Sequence, residues 1–350
     1  MHVPLTRPVA LRILVTGGNG LLGSYITREL ISAGHRITSF ARHPSSMAGT
    51  VSVVGDVTDL QALEAAVVAQ DAVIHLAGIP GPGRTTPELL VQANVMGMVN
   101  VLESAVRQGV TKVVFASSGA ATGFSFQRHE IVPSYLPIDE DHPPAPQDEY
   151  GLSKLLCELV CKRYSAAYGV HTICLRVNHA WYVDRAGATV AFSSSGTSSS
   201  WARGLSVEEV WLRRYWKVLS EPAGDWPTPG PPSPRNLLWA VGDARDVAQA
   251  FRLAVEDESI VHDVFAINAN ETCSLTPTAE LVDRYYPDVP IAEPLNGFAT
   301  LVSIQKAQQL LGYKPRFSWR KSDFHTWLED SGRAKPEALH GAPMPERPAL

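Results

Sequence analysis

The chain has 350 residues, 45% hydrophobic and 19% charged, and its 30 Lys and Arg against 35 Asp and Glu give a formal net charge of −5. That balance gives no electrostatic reason to expect nucleic acid or an anionic membrane as partner, while a local site for a small anion stays compatible with it. No run reads as apolar over the roughly 20 residues a bilayer span needs, and Met1 to Ala10 lacks the charged-then-apolar layout of a secretory signal. Cys157, Cys161, Cys174 and Cys273 show no C-x-x-C spacing. Cys157 and Cys161 stand four apart on a predicted helix without a second ligand pair, so reduced, buried thiols of a cytoplasmic protein are expected and no metal.

From Arg12 onward, short β-branched runs alternate with helical patterns. Arg12–Thr16 reads as a strand, Leu21–Ala33 as a helix and Arg36–Phe40 as a strand. Val51–Val54, Ala72–Leu76 and Lys112–Ala116 are further strands, with helices at Leu60–Val68 and Leu89–Gln108 between them. Tyr150–Tyr168 is a helix and His171–Arg176 a strand. Nearly continuous apolar strands alternating with helices predict a doubly wound parallel sheet of Rossmann type, an α/β fold, over residues 11–176. After Arg176 the rhythm breaks, and residues 177–330 read mainly as a small C-terminal substrate-binding lobe. Ser193–Ser200 and Glu221–Pro234 are loop-like, and between them Val207, Val210, Trp211, Arg214 and Val218 recur at helical spacing, with Trp211, Tyr215 and Trp216 expected to bury an amphipathic face rather than line a substrate pocket. Val264–Ile267 resumes a strand, Thr278–Tyr286 and Ile304–Leu311 read as helices, and 331–350 as a disordered tail.

Directly after the first strand comes Thr16-Gly17-Gly18-Asn19-Gly20-Leu21-Leu22-Gly23, readable as G-x-x-G-x-x-G from Gly17 or G-x-G-x-x-G from Gly18. Placed between a strand and an amphipathic helix, such glycines let the backbone approach a pyrophosphate at the helix N-terminus. The second strand ends Ser39-Phe40-Ala41-Arg42. Ala41 stands where an acid would grip the adenosine ribose, and Arg42 can clasp a 2′-phosphate, so NADP is preferred over NAD. In Tyr150-Gly151-Leu152-Ser153-Lys154 a spacing of four puts phenol and ammonium on one helix face. A neighbouring ammonium stabilises a phenolate, which suits Tyr150 to general acid–base work.

With these motifs the chain resembles the extended short-chain dehydrogenase/reductase family, of the epimerase/dehydratase type, over roughly Arg12 to Trp319. The resemblance extends to Gly55-Asp56-Val57, His75-Leu76-Ala77-Gly78, Asn94-Val95-Met96-Gly97 and Ala116-Ser117-Ser118-Gly119. It implies catalysis by Ser118, Tyr150 and Lys154, Ser117 being left as a strand-end residue. It implies cofactor contacts from Gly17, Asn19, Gly20, Leu21, Leu22, Gly23, Arg42, Asp56, Val57, Leu76, Ala77, Gly78, Asn94, Tyr150, Lys154 and Val177. A homodimer through the helices Leu89–Gln108 and Tyr150–Tyr168 is also implied.

Three departures narrow the function. Gly119 and Ala120 follow Ser118, where dehydratases of the family carry an Asp-Glu pair. Val177-Asn178-His179-Ala180-Trp181 replaces the Asn-x-Tyr-Gly-Pro run of many sugar-nucleotide enzymes, leaving Asn178 and His179 as substrate candidates. The stretch Phe124–Gln147 lengthens the path from Ser118 to Tyr150, as a pocket wall or a solvated excursion. The leading expectation is an NAD(P)-dependent dehydrogenase or reductase acting on a carbinol or carbonyl of a small molecule. The alternative is a nucleotide-sugar epimerase with retained NAD; a non-catalytic NADP-sensing module is the weakest, because Ser118, Tyr150 and Lys154 are all present.

Overall fold

A computed structural model describes residues 10–182 and 235–321. The predicted pattern around Trp211, the two loop-like runs before and after it, and the tail 331–350 lie outside the described residues.

Seven strands form one parallel sheet in the order β3-β2-β1-β4-β5-β6-β9. They are β1 (Arg12–Thr16), β2 (Arg36–Ala41), β3 (Thr50–Val54), β4 (Ala72–His75), β5 (Lys112–Ser118), β6 (His171–Val177) and β9 (His262–Ile267). A further short pair, β7 (Ala180–Trp181) and β8 (Gly242–Asp243), lies beside it. The inner strands are apolar on both faces: all four residues of β4 are buried, and six of the seven in β5. Such strands are stable only between two helical layers. The helices are α1 (Leu21–Ser32), α2 (Leu60–Val67), α3 (Pro87–Val91), α4 (Gly97–Gln108), α5 (Glu149–Tyr168), α6 (Ala244–Glu256), α7 (Thr278–Tyr285) and α8 (Gln305–Leu310). Their apolar stripes close two cores on opposite faces, one built on Ile26, Leu30, Val247 and Phe251, the other on Leu63, Val101, Leu102 and Cys161. The strand order turns back between β1 and β4, the switch at which an open α/β sheet leaves a crevice beyond its strand ends.

Two sequence expectations need correction. The run Pro87–Gln108 is 22 residues long and contains an 18-residue window of mean hydropathy 1.4, long and apolar enough by composition to cross a bilayer. In the fold Leu90, Met98, Val101, Leu102 and Ala105 pack it into the core, and that packing is what its hydropathy reflects. Nor is it one uniform helix, since Gln92–Met96 winds as a π-helical turn between α3 and α4. The segment between Ser118 and Tyr150 is no solvated excursion. Phe124, Leu136 and Ile138 are buried in a third core with Trp239, Leu281, Leu301 and Trp319, and Leu136 and Ile138 bridge to Ile291 and Val302.

Candidate active site

Because all main-sheet strands run parallel, their C-terminal ends share one edge, and the sequence-predicted site residues lie at those ends or on the turns after them, except Leu21, Leu22 and Gly23 on α1, Asn94 in the π-helical turn, and Tyr150 and Lys154 on α5. The glycine loop follows β1. Gly17 adopts φ +73°, and a Cβ there would lie 2.9 Å from the Ala77 backbone nitrogen. At Gly23 a Cβ would stand 2.3 Å from the Gly17 oxygen. Gly20 donates its backbone N–H to that same oxygen at 2.9 Å. The glycines at 17, 20 and 23 thus bring loop, β4 end and helix start to backbone contact, which fixes the reading that begins at Gly17. Leu21 and Leu22 open α1 behind it.

Asn19 lies in this same loop. Its side chain donates to the His43 carbonyl at 2.6 Å and accepts from the Ser39 hydroxyl at 2.9 Å, bracing the loop to the end of β2. Arg42 follows Ala41 there and is exposed. At the end of β3 an Asp56 oxygen takes the Thr58 amide and hydroxyl, and the Val57 carbonyl accepts from Asn100. The bare backbone at Gly17, Gly20 and Gly23, facing the start of α1, fits the pyrophosphate of a dinucleotide.

Beyond β4, Leu76, Ala77 and Gly78 line the crevice, and Asn94 in the π-helical turn fastens them. Its Oδ1 accepts from the Ile79 amide at 2.7 Å, and its Nδ2 donates to the Ser153 hydroxyl at 3.0 Å. Ser153 in turn donates to the Tyr150 carbonyl at 2.8 Å. A π-turn, which redirects a side chain by one extra residue, therefore couples the β4 loop to the start of α5. A Cβ on Gly78 would come within 2.8 Å of the Asn94 oxygen. His75, fully buried, shares a hydrogen bond with Thr16 at 2.7 Å. Burial first, and the Lys154 charge second, hold its imidazole down to about 3, so it is neutral.

α5 begins with Asp148 as N-cap, accepting the Gly151 amide at 2.8 Å. One turn in, the buried Lys154 ammonium donates to the Ala116 carbonyl at 2.7 Å and lies 5.7 Å from the centroid of the Tyr150 ring. Tyr150 is half-buried, with Phe126 edge-on at 6.1 Å. Adjacent serines end β5 on opposite terms. Ser117 is buried and donates to Glu158 at 2.5 Å, and Glu158 forms a buried pair with Arg176 at 2.9 Å. Ser118 is half-exposed, and its Oγ accepts the Ala120 amide at 3.1 Å. This is a structural serine beside an available one.

Val177 closes β6. Asn178 is buried, with its carboxamide donating to Asn268 at 3.0 Å and its oxygen against Gly119, where a Cβ would be 1.8 Å away. It lines a pocket with Thr122, Ser125 and Asp139. His179 is half-buried beyond it. Among the described residues there is no group of three or more His, Cys, Asp or Glu placed to hold a metal, and all four cysteines are buried free thiols. Arg84 and Phe126, near Tyr150, escaped sequence reasoning. Neither sits in a recognisable motif, and the loops bearing them are placed by long-range contacts.

Residues 13–182 match the model of the NAD dependent epimerase/dehydratase family. UDP-glucose 4-epimerase of Corynebacterium glutamicum is 27% identical across 92% of this chain and 94% of its own. L-arabinose 1-dehydrogenase (NAD(P)+) of Haloferax volcanii is 27% identical across 77% and 94%. A solved structure of a mutated uronate dehydrogenase superposes with a TM-score of 0.61 at 22% identity, covering 97% of this chain and 90% of that one, a likeness of fold. With its glycine loop and Rossmann-type sheet, the stretch 13–182 is a domain of the NAD dependent epimerase/dehydratase family, and the chain is an NAD(P)-dependent enzyme.

Proposed function

We propose that the protein is a dehydrogenase or reductase that uses NADP in preference to NAD and acts at a carbinol or carbonyl carbon of a small molecule. The observation that carries this reading is Tyr150 and Lys154 on one helix face beside the half-exposed Ser118 at the end of β5. When bound, the nicotinamide cofactor supplies or accepts the hydride. Ser118 Oγ positions the substrate oxygen, and the Tyr150 hydroxyl takes its proton in oxidation and returns it in reduction. Lys154 holds a positive charge beside the phenol, anchored by the Ala116 carbonyl. Gly17, Gly20, Leu21, Leu22 and Gly23 hold the pyrophosphate, Asp56 and Val57 the adenine, and Leu76, Ala77, Gly78, Asn94 and Val177 frame the inner half. Arg42, exposed next to a strand end without a carboxylate, supports the choice of NADP.

Asn178 and His179 stand on the substrate side, with residues 177–330 supplying most of that lobe. The tie to Asn268 makes Asn178 a wall of the pocket. An epimerase with retained NAD would use the same three side chains, and the similarity to UDP-glucose 4-epimerase supports it as the second reading. Exposed Leu89, Met96, Leu152 and Leu159, on the two helices expected to pair, support a homodimer, and the charge balance and reduced thiols support a cytoplasmic location. Tyr150→Phe tests the reading. We expect kcat to fall at least a thousandfold with cofactor Kd unchanged within about twofold. Retained turnover contradicts it.

A further inference from the structure

The loop after β4 brings a cation to the substrate side. Asn94 pins its start at Ile79, and Glu149, the residue before Tyr150, accepts the Gly83 amide at 2.9 Å. Arg84 sits just past that second tie. Its side chain folds back over Gly81, where φ is +117° and a Cβ would meet the Arg84 Nε at 3.3 Å. Among the described residues, no carboxylate or carbonyl accepts a hydrogen bond from this half-buried guanidinium. Arg176, Arg245 and Arg252, by contrast, each reach a carboxylate. Glu149, the acid that fastens this loop, is already committed to the Gly83 backbone. Burial lowers Arg84 from the usual guanidinium range, and the charge of the Tyr150 phenol opposes that shift, so the two groups lie within electrostatic reach.

A guanidinium offers five donors in a planar fork that matches an oxyanion two bonds at a time. A loop fastened at both ends holds them in place before ligand arrives. The geometry points to Arg84 as the residue that recognises an anionic group, carboxylate or phosphate, on the substrate held at Tyr150. This deepens the proposed function and rests on Tyr150 marking the reacting end of the site. Among the described residues, no hydrogen bond joins the Arg84 backbone to the glycine loop or the start of α1.

Calorimetric titration of the cofactor-loaded protein with D-glucuronate, glucose 1-phosphate and D-glucose tests this without requiring turnover. Wild type should bind one of the two anions at least tenfold more tightly than glucose. Which anion wins separates carboxylate from phosphate. Arg84→Gln should erase that margin with glucose and cofactor affinity unchanged, and Arg84→Lys should restore part of it. Equal binding of the three sugars by wild type, no binding of either anion, or an Arg84→Gln defect in cofactor affinity would each overturn the assignment. Tyr150→Phe should keep the anion preference, so a loss of turnover there and a loss of anion binding here report on separate claims.

Discussion

Two halves of the crevice meet at Tyr150. On the cofactor half, formed by the glycine loop, the end of β4 and the π-helical turn, polar groups are mostly spent on one another. Asn19 joins Ser39 and His43, Thr16 joins His75, and Asn94 joins Ile79 and Ser153. On the substrate half, Ser118, Tyr150 and Arg84 are half-buried, and their reactive or charged ends are left largely open. The contrast shows how one edge of a sheet provides both rigidity and reactivity. Backbone and short polar side chains fix the geometry, and groups that must meet a ligand are held at their stems.

The comparison breaks most severely where the rigid half is overfilled. In Gly23→Ala the new methyl meets the Gly17 oxygen at 2.3 Å and Gly18 backbone atoms at 2.9 Å, none of them the end of a flexible side chain. Cofactor affinity should fall at least a hundredfold, and unfolding free energy by roughly 2 kcal/mol. Fluorescence titration and a urea melt read the two effects, and wild-type affinity would refute the backbone fit.

The paired serines sharpen the comparison within a single dipeptide. Ser118→Ala should lower kcat about a hundredfold and cost about 0.5–1 kcal/mol of stability through the lost cap on the Ala120 amide. Ser117→Ala strips the buried Glu158 of a donor and should cost about 1–3 kcal/mol of stability with near-normal kinetics. An exchange of these phenotypes would reverse the assignment.

A smaller effect concerns pH. His75 is held neutral in the fold, with its imidazole near 3 against an ordinary 6.5, so the unfolded chain binds the extra proton. Its contribution is complete above pH 6.5 and is lost as pH falls toward 3. Between pH 7 and 5 that amounts to about 2 kcal/mol. Burial depresses His142 as well, with the same sign, whereas Glu140, Asp148 and Asp246 are raised and act in the opposite sense. The comparison is therefore between wild type and His75→Gln. The variant should lose less stability on going from pH 7 to 5, and parallel losses would show that His75 is not held neutral.

Legibility in the sequence followed the range of the interactions. The strand–helix alternation, the glycine loop and the four-residue spacing from Tyr150 to Lys154 are local, and each stands where the periodicity placed it. Ser118 was separable from Ser117 only through family resemblance. Its physical ground, the Glu158–Arg176 pair under Ser117, joins residues 41 apart in the chain and then 18 apart. The π-helical turn is invisible to a periodicity that runs unbroken from Pro87 to Gln108. The packing of Leu136 and Ile138 against residues beyond 290 makes a polar-looking loop into core. Arg84 lies in Gly81-Pro82-Gly83-Arg84-Thr85-Thr86, which reads as an ordinary turn until Glu149 fastens it beside Tyr150.

Titration of the purified protein with NADP+ and NAD+, followed by tryptophan fluorescence and preceded by a spectrum for retained nucleotide, tests the central claim most directly. Exchangeable binding of both, tighter for NADP+ and levelled in Arg42→Ala, is the expected result, and it supports a redox enzyme built around Tyr150. Tightly retained NAD+ would contradict the exchange of cofactor and favour the epimerase, and no binding of either nucleotide would contradict the site itself.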